Sequence, residues 1–379
     1  MKKLIKALRT FAIVLISLII VLIITLTFYN HIGNSSIKAQ IDGLGTRIFF
    51  LSNQSVSGKT ESFKVALCLN DKINIKASIK ELSSAKLHFV NKKNSGSRAY
   101  QIRFFLEPND KIIIKGYVNT NSITYDVVKG NKLSLQYSQL HKELLPFFES
   151  EFEIKQKYRQ THQSVYKRQL DSINKNSIPK KKLDFVKKHP DYELSADILN
   201  EDSYVSHDTI IKYSSILTDN VRKHLFGKML FQLIKGWDNT AVGVFAPKFS
   251  QITSSGNRFT LDDLKGKYVV LDFWGSWCGS CIKDFPKMKD YYNKNKGKVE
   301  FVGIACNDSE TAWKKAIKIN QLEWINIFDE QKQNNISSMY AITTFPTKVI
   351  IDKEGRIVKK VVGESMEFFH IVDSLMNIK

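Results

Sequence analysis

Residues 268–281 read YVVLDFWGSWCGSC. The first seven form an apolar run with a single acid, Asp272, and their length and β-branched content predict a buried strand over Tyr268–Trp274. A helix is expected to follow, from about Gly279 to Asn295, which places Cys278 at its N-terminus and Cys281 one turn inside. Unpaired backbone N–H groups and the positive end of the helix dipole meet at that position, and both favour a thiolate. The two-residue spacing lets Cys281 attack Cys278 and close a small ring, so a mixed disulfide with another protein can be resolved within the chain. Two plainer readings compete. A zinc half-site needs two further ligands, but Cys68 and Cys306 stand alone and His370 is the only His after His224. A structural disulfide across four residues constrains the unfolded chain little. The strand–helix junction favours redox chemistry, with no metal and no cofactor.

Downstream, strand Val299–Ala305, a helix from near Asp308, strand Thr347–Ile351, strand Arg356–Val362 and a last helix over residues 365–377 predict a mixed α/β sheet. Asp272 lies among apolar neighbours, where desolvation should raise its pKa.

Upstream the pattern changes twice. Residues 134–236 carry apolar side chains at helical spacing (Val221, Leu225, Met229, Leu230, Leu233) and are expected to form a helical spacer, broken into several helices by Pro146, Pro179 and Pro190. Residues 38–132 hold short, partly alternating runs such as 47–51, 63–67, 73–77, 85–90, 100–105 and 112–116, separated by turn-forming stretches, which predict a small all-β domain. Residues 11–28 are apolar except for Ser17, Thr25 and Thr27, and Lys2, Lys3, Lys6 and Arg9 precede them. That length approaches the ~30 Å bilayer core, and the flanking charges predict a transmembrane anchor with a cytoplasmic N-terminus over residues 1–10. A cleaved signal sequence is the competing reading. Both put the folded part outside the cytoplasm.

The chain has 379 residues, 57 Lys+Arg and 37 Asp+Glu. Its length predicts several domains, and its four cysteines exclude a disulfide-dense mini-scaffold. The basic excess is uneven: residues 1–150 hold 21 basic and 9 acidic side chains, whereas residues 237–379 hold 20 and 17. Scattered single lysines (Lys59, Lys64, Lys72, Lys76, Lys80) without interleaved aromatics read as a solvated basic face rather than a nucleic-acid site.

Residues 237–379 resemble the thioredoxin fold of the ResA/TlpA type, the membrane-tethered thiol–disulfide oxidoreductases of bacterial envelopes. The resemblance is carried by residues 244–249 (VFAPKF), Val269–Trp274, Trp277–Cys281 and Thr344-Phe345-Pro346-Thr347. Residues 40–130 are similar, more weakly, to a β-rich domain of unknown function that precedes such domains. The resemblance implies a redox disulfide between Cys278, the attacking thiol, and Cys281, the resolving one. It implies a cis Phe345–Pro346 bond facing them and a substrate surface of Trp277, Thr344, Phe345 and Pro346. Asp272 and Asp284 match acids used for proton transfer, although Asp284 also suits a first helical turn for electrostatic reasons alone. Implied partners are cysteine-containing exported proteins and a membrane electron donor or thioredoxin-like reductant. The implied location is the inner membrane with the folded domains in the periplasm, and exchange is expected in the reducing direction.

Two departures stand out. Ser280 replaces a common Pro inside the motif, and strand residues 301–305 contain no Lys to serve Asp272. Cys306 is expected as a small buried residue, and Cys68 as a buried or free thiol. A thiol peroxidase is disfavoured because Leu271 and Gly275 occupy its Pro and Thr places before Cys278. A periplasmic binding module, with the thioredoxin unit as accessory, is the reading from a different class.

Overall fold

The computed structural model describes residues 32–56, 61–89, 101–119, 122–201, 204–329, 335–363 and 367–377. The apolar segment 11–28 lies outside them; among the described residues no helix is long and apolar enough to cross a membrane. The chain divides into two compact units, residues 1–227 and 228–379.

The first unit opens with eight strands: β1 (Ser35–Asp42), β2 (Arg47–Ser55), β3 (Glu61–Cys68), β4 (Lys72–Ala77), β5 (Ser83–Phe89), β6 (Gln101–Leu106), β7 (Lys111–Val118) and β8 (Ile123–Lys129). They form two four-stranded sheets, ordered β4-β1-β7-β8 and β3-β2-β5-β6. Alternation puts Ile37, Ala39 and Ile41 of β1 inward, against Phe49 and Leu51 of β2 and Leu87 of β5, in one shared core. Cys68 is fully buried there, and burial raises its thiol pKa. Lys64 departs from the solvated basic face: it is buried, and its Nζ donates to the carbonyls of Ile32 (2.8 Å) and Lys76 (2.9 Å).

Helices α1 (Lys132–Thr161), α2 (Ser164–Ser172), α3 (Ile178–Lys188), α4 (Glu193–Glu201), α5 (His207–Ser214) and α6 (Asp219–Lys223) follow within the same unit. The segment read as a spacer is therefore largely part of the β unit. Its first helix is fastened by serines: Ser134 Oγ donates to the Phe105 carbonyl (2.7 Å) and accepts from the Phe105 N–H (2.9 Å), and Ser138 Oγ accepts from Val127 N–H (3.0 Å). Pro146 does not end α1, contrary to the sequence expectation. Pro146 lies on the exposed side of the helix. Meanwhile Leu140, Leu144, Phe148 and Phe152 continue the buried stripe at four-residue intervals on the other side. Pro179 does not break the chain's helical course either: it lies in the first turn of α3, which follows α2 without interruption through a π-helical stretch at Ile173–Ser177.

Helix α7 (Leu225–Asn239) runs past Gly236, where the sequence placed its end. A Cβ at 236 would lie 2.9 Å from that of Ala341, so Gly236 serves close packing rather than termination. The second unit has a short hairpin, β9 (Ser250–Ile252) and β10 (Arg258–Thr260), and a five-stranded sheet of β11 (Tyr268–Trp274), β12 (Val299–Ala305), β13 (Ile325–Phe328), β14 (Thr347–Ile351) and β15 (Ile357–Val362). The order is β13-β12-β11-β14-β15, with β11 central, parallel to β12 and antiparallel to β14. Helices α8 (Gly279–Lys294), α9 (Glu310–Asn320), α10 (Ile336–Met339) and α11 (Glu367–Asn377) complete it. The two-residue period of β11 sorts its side chains: Val269, Leu271 and Phe273 enter one core, while Val270 and Trp274 enter the other with Cys281, Phe285 and Met288 of α8. Asp272 shares the second face, the one α8 covers.

Candidate active site

The site grows out of the C-terminal end of β11. Past Trp274 the chain turns tightly: Cys278 N–H donates to the Gly275 carbonyl (3.0 Å), and Asp308 accepts from Ser276 N–H (2.6 Å) and Oγ (2.8 Å). A Cβ on Gly275 would overlap the Trp277 indole, so a side chain there would force that ring to shift. Cys278 is the N-cap of α8, and the Cys281 N–H donates to its Sγ at 3.2 Å. That contact uses one of the first-turn donors a helix leaves open. Cys278 and Cys281 form a disulfide, and both sulfurs belong to nearly buried residues. Ser280 Oγ lies 3.4 Å from Cys278 Sγ, so the residue that departs from the family pattern touches the attacking sulfur.

Trp277 is 53% exposed and forms the rim. Its indole N–H donates to the Cys306 carbonyl (3.1 Å), and its ring meets Phe345 edge-on at 5.3 Å between centroids. The Phe345–Pro346 peptide is cis. Thr344 is exposed before it, and its carbonyl accepts from Thr347 Oγ1 at 2.6 Å, which pins the loop to the first residue of β14. Trp277 and Phe345 thus meet next to the cluster that holds both cysteines, Thr344 is exposed beside Phe345 in sequence, and Pro346 is buried.

Beneath lies a charged cluster whose third member sequence reasoning missed. The sequence offered Asp272 no cation from β12, and its β12 neighbour is indeed Gly303. The cation comes from the opposite side: Lys348 of β14 is the register partner of Asp272. Lys348 Nζ lies 3.5 Å from Asp272 Oδ1 and donates to Asp284 Oδ2 at 3.2 Å. Lys348 is 1% exposed. The Phe368 ring covers its ammonium at 5.2 Å. Burial pushes the Asp272 carboxyl above its ordinary value; Lys348 opposes that shift and Asp284 adds to it. An ammonium buried this deeply is tolerated because carboxylates pair with it. The signal available in the sequence was a lysine inside the otherwise apolar run Thr347–Ile351, legible only once the strand order is known.

Cys306 is buried at the end of β12, and burial, with Asp329 nearby, holds its thiol neutral. It serves the core rather than the exchange site. Among the described residues no cluster of three or more His, Cys, Asp or Glu side chains is arranged to hold a metal.

A family profile described as thioredoxin-like matches residues 266–357. The thiol-disulfide oxidoreductase ResA of Bacillus cereus is 36% identical over 145 residues, covering 37% of this chain and 83% of that protein. The ResA of Bacillus subtilis is 33% identical over 144 residues, covering 38% and 78%. The crystal structure of the thioredoxin domain of a thiol-disulfide oxidoreductase from Bacteroides vulgatus is 32% identical, covers 36% of this chain and 99% of its own, and superposes with a TM-score of 0.34.

Proposed function

The chain belongs, through its C-terminal unit, to the ResA-like thiol–disulfide oxidoreductases, and from that premise we propose that it reduces disulfides of exported proteins while tethered to the membrane by residues 11–28. Cys278 attacks one sulfur of the substrate disulfide and expels the other as a thiolate. Cys281 then attacks Cys278, releases the second substrate sulfur as a thiolate, and leaves the Cys278–Cys281 disulfide. The observation that carries this reading is the disulfide itself, at the first turn of α8. Substrate contact falls to Trp277, Thr344, Phe345 and Pro346, and the exposure of Trp277 and Thr344, with Phe345 against the Trp277 ring, supports contact with an extended polypeptide. A membrane electron donor or a thioredoxin-like reductant would return the pair to dithiol. Asp272 and Asp284 serve proton transfer in the resolving step, since the Cys281 thiol must lose its proton before attacking. On this reading residues 38–132 form a β-rich domain and residues 237–379 the catalytic one, with everything past residue 30 outside the cytoplasm.

Cys281→Ser and Cys278→Ser test the roles. The first variant should accumulate a covalent complex with a disulfide-bearing substrate, visible on a non-reducing gel and dispersed by dithiothreitol. The second should form none. Release of substrate from Cys281→Ser at the wild-type rate sinks the assignment.

A further inference from the structure

The first unit holds a cavity of about 310 Å³ bounded by strands β5, β6 and β8 and helices α1, α3 and α4. Small-molecule sites run from roughly 300 to 1,000 Å³, so the space suits a compact ligand. Part of its wall is apolar: Leu140, Leu144 and Phe148 of α1, Ile178 of α3, and Leu194 and Ile198 of α4 are all buried. The rest is charged, with Lys86 of β5, Arg103 of β6 and Lys182 of α3 facing Asp197 and Glu201 of α4. Those charges do not balance. Arg103 Nη1 and Nη2 donate to Glu201 Oε2 (3.0 Å) and Oε1 (2.6 Å), and this two-pronged pair outweighs burial and holds Glu201 below its ordinary value. Asp197 is buried, with Arg103 Nη2 3.8 Å from its Oδ2. Burial pushes its carboxyl well above the usual carboxylate range, Glu201 adds to that, and Arg103 and Lys182 oppose it. Three cations therefore face one firm carboxylate and one that readily holds a proton. An entering carboxylate would restore neutrality, and an entering amine would deepen the excess. His141 of α1 makes a second demand on the occupant. It is 4% exposed, the Ile123 carbonyl accepts from one ring nitrogen, and Nε2 has no partner. Burial pushes its pKa down to about 4, so near neutrality Nε2 is a lone-pair acceptor. A buried acceptor without a donor costs stability, and a hydroxyl entering the cavity relieves that cost.

We propose that this cavity binds a small carboxylic acid that carries an apolar body and a hydroxyl group. The carboxylate sits among Lys86, Arg103 and Lys182, the body lies against Leu140, Leu144 and Ile198, and the hydroxyl donates to His141 Nε2. Every one of these residues belongs to the first unit, and the site does not rest on the redox reading. Binding is linked to protonation of Asp197, because an anion beside it favours the neutral acid. The groups facing Asp197 are Lys86 on β5, Arg103 on β6, Tyr137 and His141 on α1, Lys182 on α3 and Glu201 on its own helix. Glu201 stays ionised through Arg103, His141 stays neutral, and burial keeps the Tyr137 hydroxyl protonated. The proton taken up with the ligand therefore goes to Asp197.

Titration calorimetry of the full chain with 3-(4-hydroxyphenyl)propionate, 3-phenylpropionate and tyramine separates these contributions. The hydroxylated acid should bind, and more tightly as the pH falls from 8 to 6. The acid without the hydroxyl should bind about two- to tenfold more weakly, since one neutral hydrogen bond is lost. Tyramine, with an amine in place of the carboxylate, should give no saturable heat. Lys182→Met should weaken the hydroxylated acid roughly tenfold or more, because a hydrogen bond to a charged group goes. Asp197→Asn should flatten the pH dependence. Leu144→Phe should abolish binding by filling the apolar end; if that variant does not fold, Lys182→Met carries the test. No saturable heat from the hydroxylated acid at millimolar concentration overturns the proposal, as does tyramine binding as tightly as the acid. Wild-type affinity in Lys182→Met or in folded Leu144→Phe overturns it too. Equal affinity for the two acids removes the His141 contact, and an unchanged pH profile in Asp197→Asn removes the linkage.

Discussion

Asp272→Asn should make the C-terminal unit more stable at neutral pH while slowing the resolving step. Asn copies the neutral acid in volume and shape but cannot ionise. The carboxyl of Asp272 is 1% exposed and displaced upward from its ordinary value of 3.8 by burial, with Lys348 only partly compensating. As pH rises past 3.8 the unfolded chain gives up this proton before the folded one does. The folded state therefore binds more protons, and wild-type stability falls as pH rises through the window between the two values. Above the folded value the deficit is complete. The Asn variant has no such slope at this site, so its advantage grows with pH and vanishes near pH 4. Replacing buried ionic groups by neutral ones is commonly neutral to stabilising by about 1–4 kcal/mol. Here about 1–2 kcal/mol is expected, because Lys348 keeps Asp284 at 3.2 Å and is not stranded. For a unit of this size that corresponds to roughly 2–8 °C in Tm. All five tryptophans (Trp237, Trp274, Trp277, Trp313 and Trp324) lie in residues 228–379, so tryptophan fluorescence during urea unfolding of the oxidised chain reports this unit. A variant destabilised at pH 7, or a difference that stays flat from pH 4 to 8, refutes the reasoning.

Phe285→Ala should cost about 3–5 kcal/mol, since its ring is 1% exposed and packs edge-on against Trp274 at 5.1 Å; the same fluorescence transition measures it. Gly303→Ala should cost about 1–3 kcal/mol, because a Cβ there lies 2.6 Å from Asn326 Oδ1 and 3.1 Å from the Trp274 indole nitrogen, and a wild-type midpoint would contradict that packing. Ser134→Ala should cost about 1–3 kcal/mol in the first unit by leaving the Phe105 N–H and carbonyl without the serine hydroxyl, read by circular dichroism with the tryptophan signal unmoved. Trp277→Ala should leave stability within about 0.5 kcal/mol and raise KM for a peptide disulfide, given its exposed place on the rim.

Most of the exchange site was legible because its signal is local. The apolar run ending at Trp274 gave β11 to the residue, and the cysteine spacing required a helix start at Gly279. Lys348 was not legible, because its meaning depends on which strand lies beside β11 and in what register. Local pattern cannot say that β14 runs antiparallel there with Lys348 opposite Asp272. Pro146 misled for a related reason. Proline weakens a helix locally, but a buried stripe on the opposite side decided the outcome through tertiary packing. Strand β1 depends on partners distant in sequence, since it pairs with β7 across seventy residues or more, whereas β8 pairs with its chain neighbour β7. Lys64 was misjudged because its partners are backbone carbonyls, which composition does not reveal.

Equilibrating the full chain against dithiol–disulfide buffers of graded potential, then trapping free thiols by alkylation and weighing the protein, tests the central claim most directly. The account predicts that Cys278 and Cys281 become alkylated together in one two-electron transition, close to 30 mV per tenfold change in ratio, while Cys68 and Cys306 stay protected in the native fold. For a reductant the midpoint should fall below about −220 mV. A pair whose alkylation ignores the buffer potential contradicts the exchange chemistry, and a midpoint near −120 mV contradicts its reducing direction.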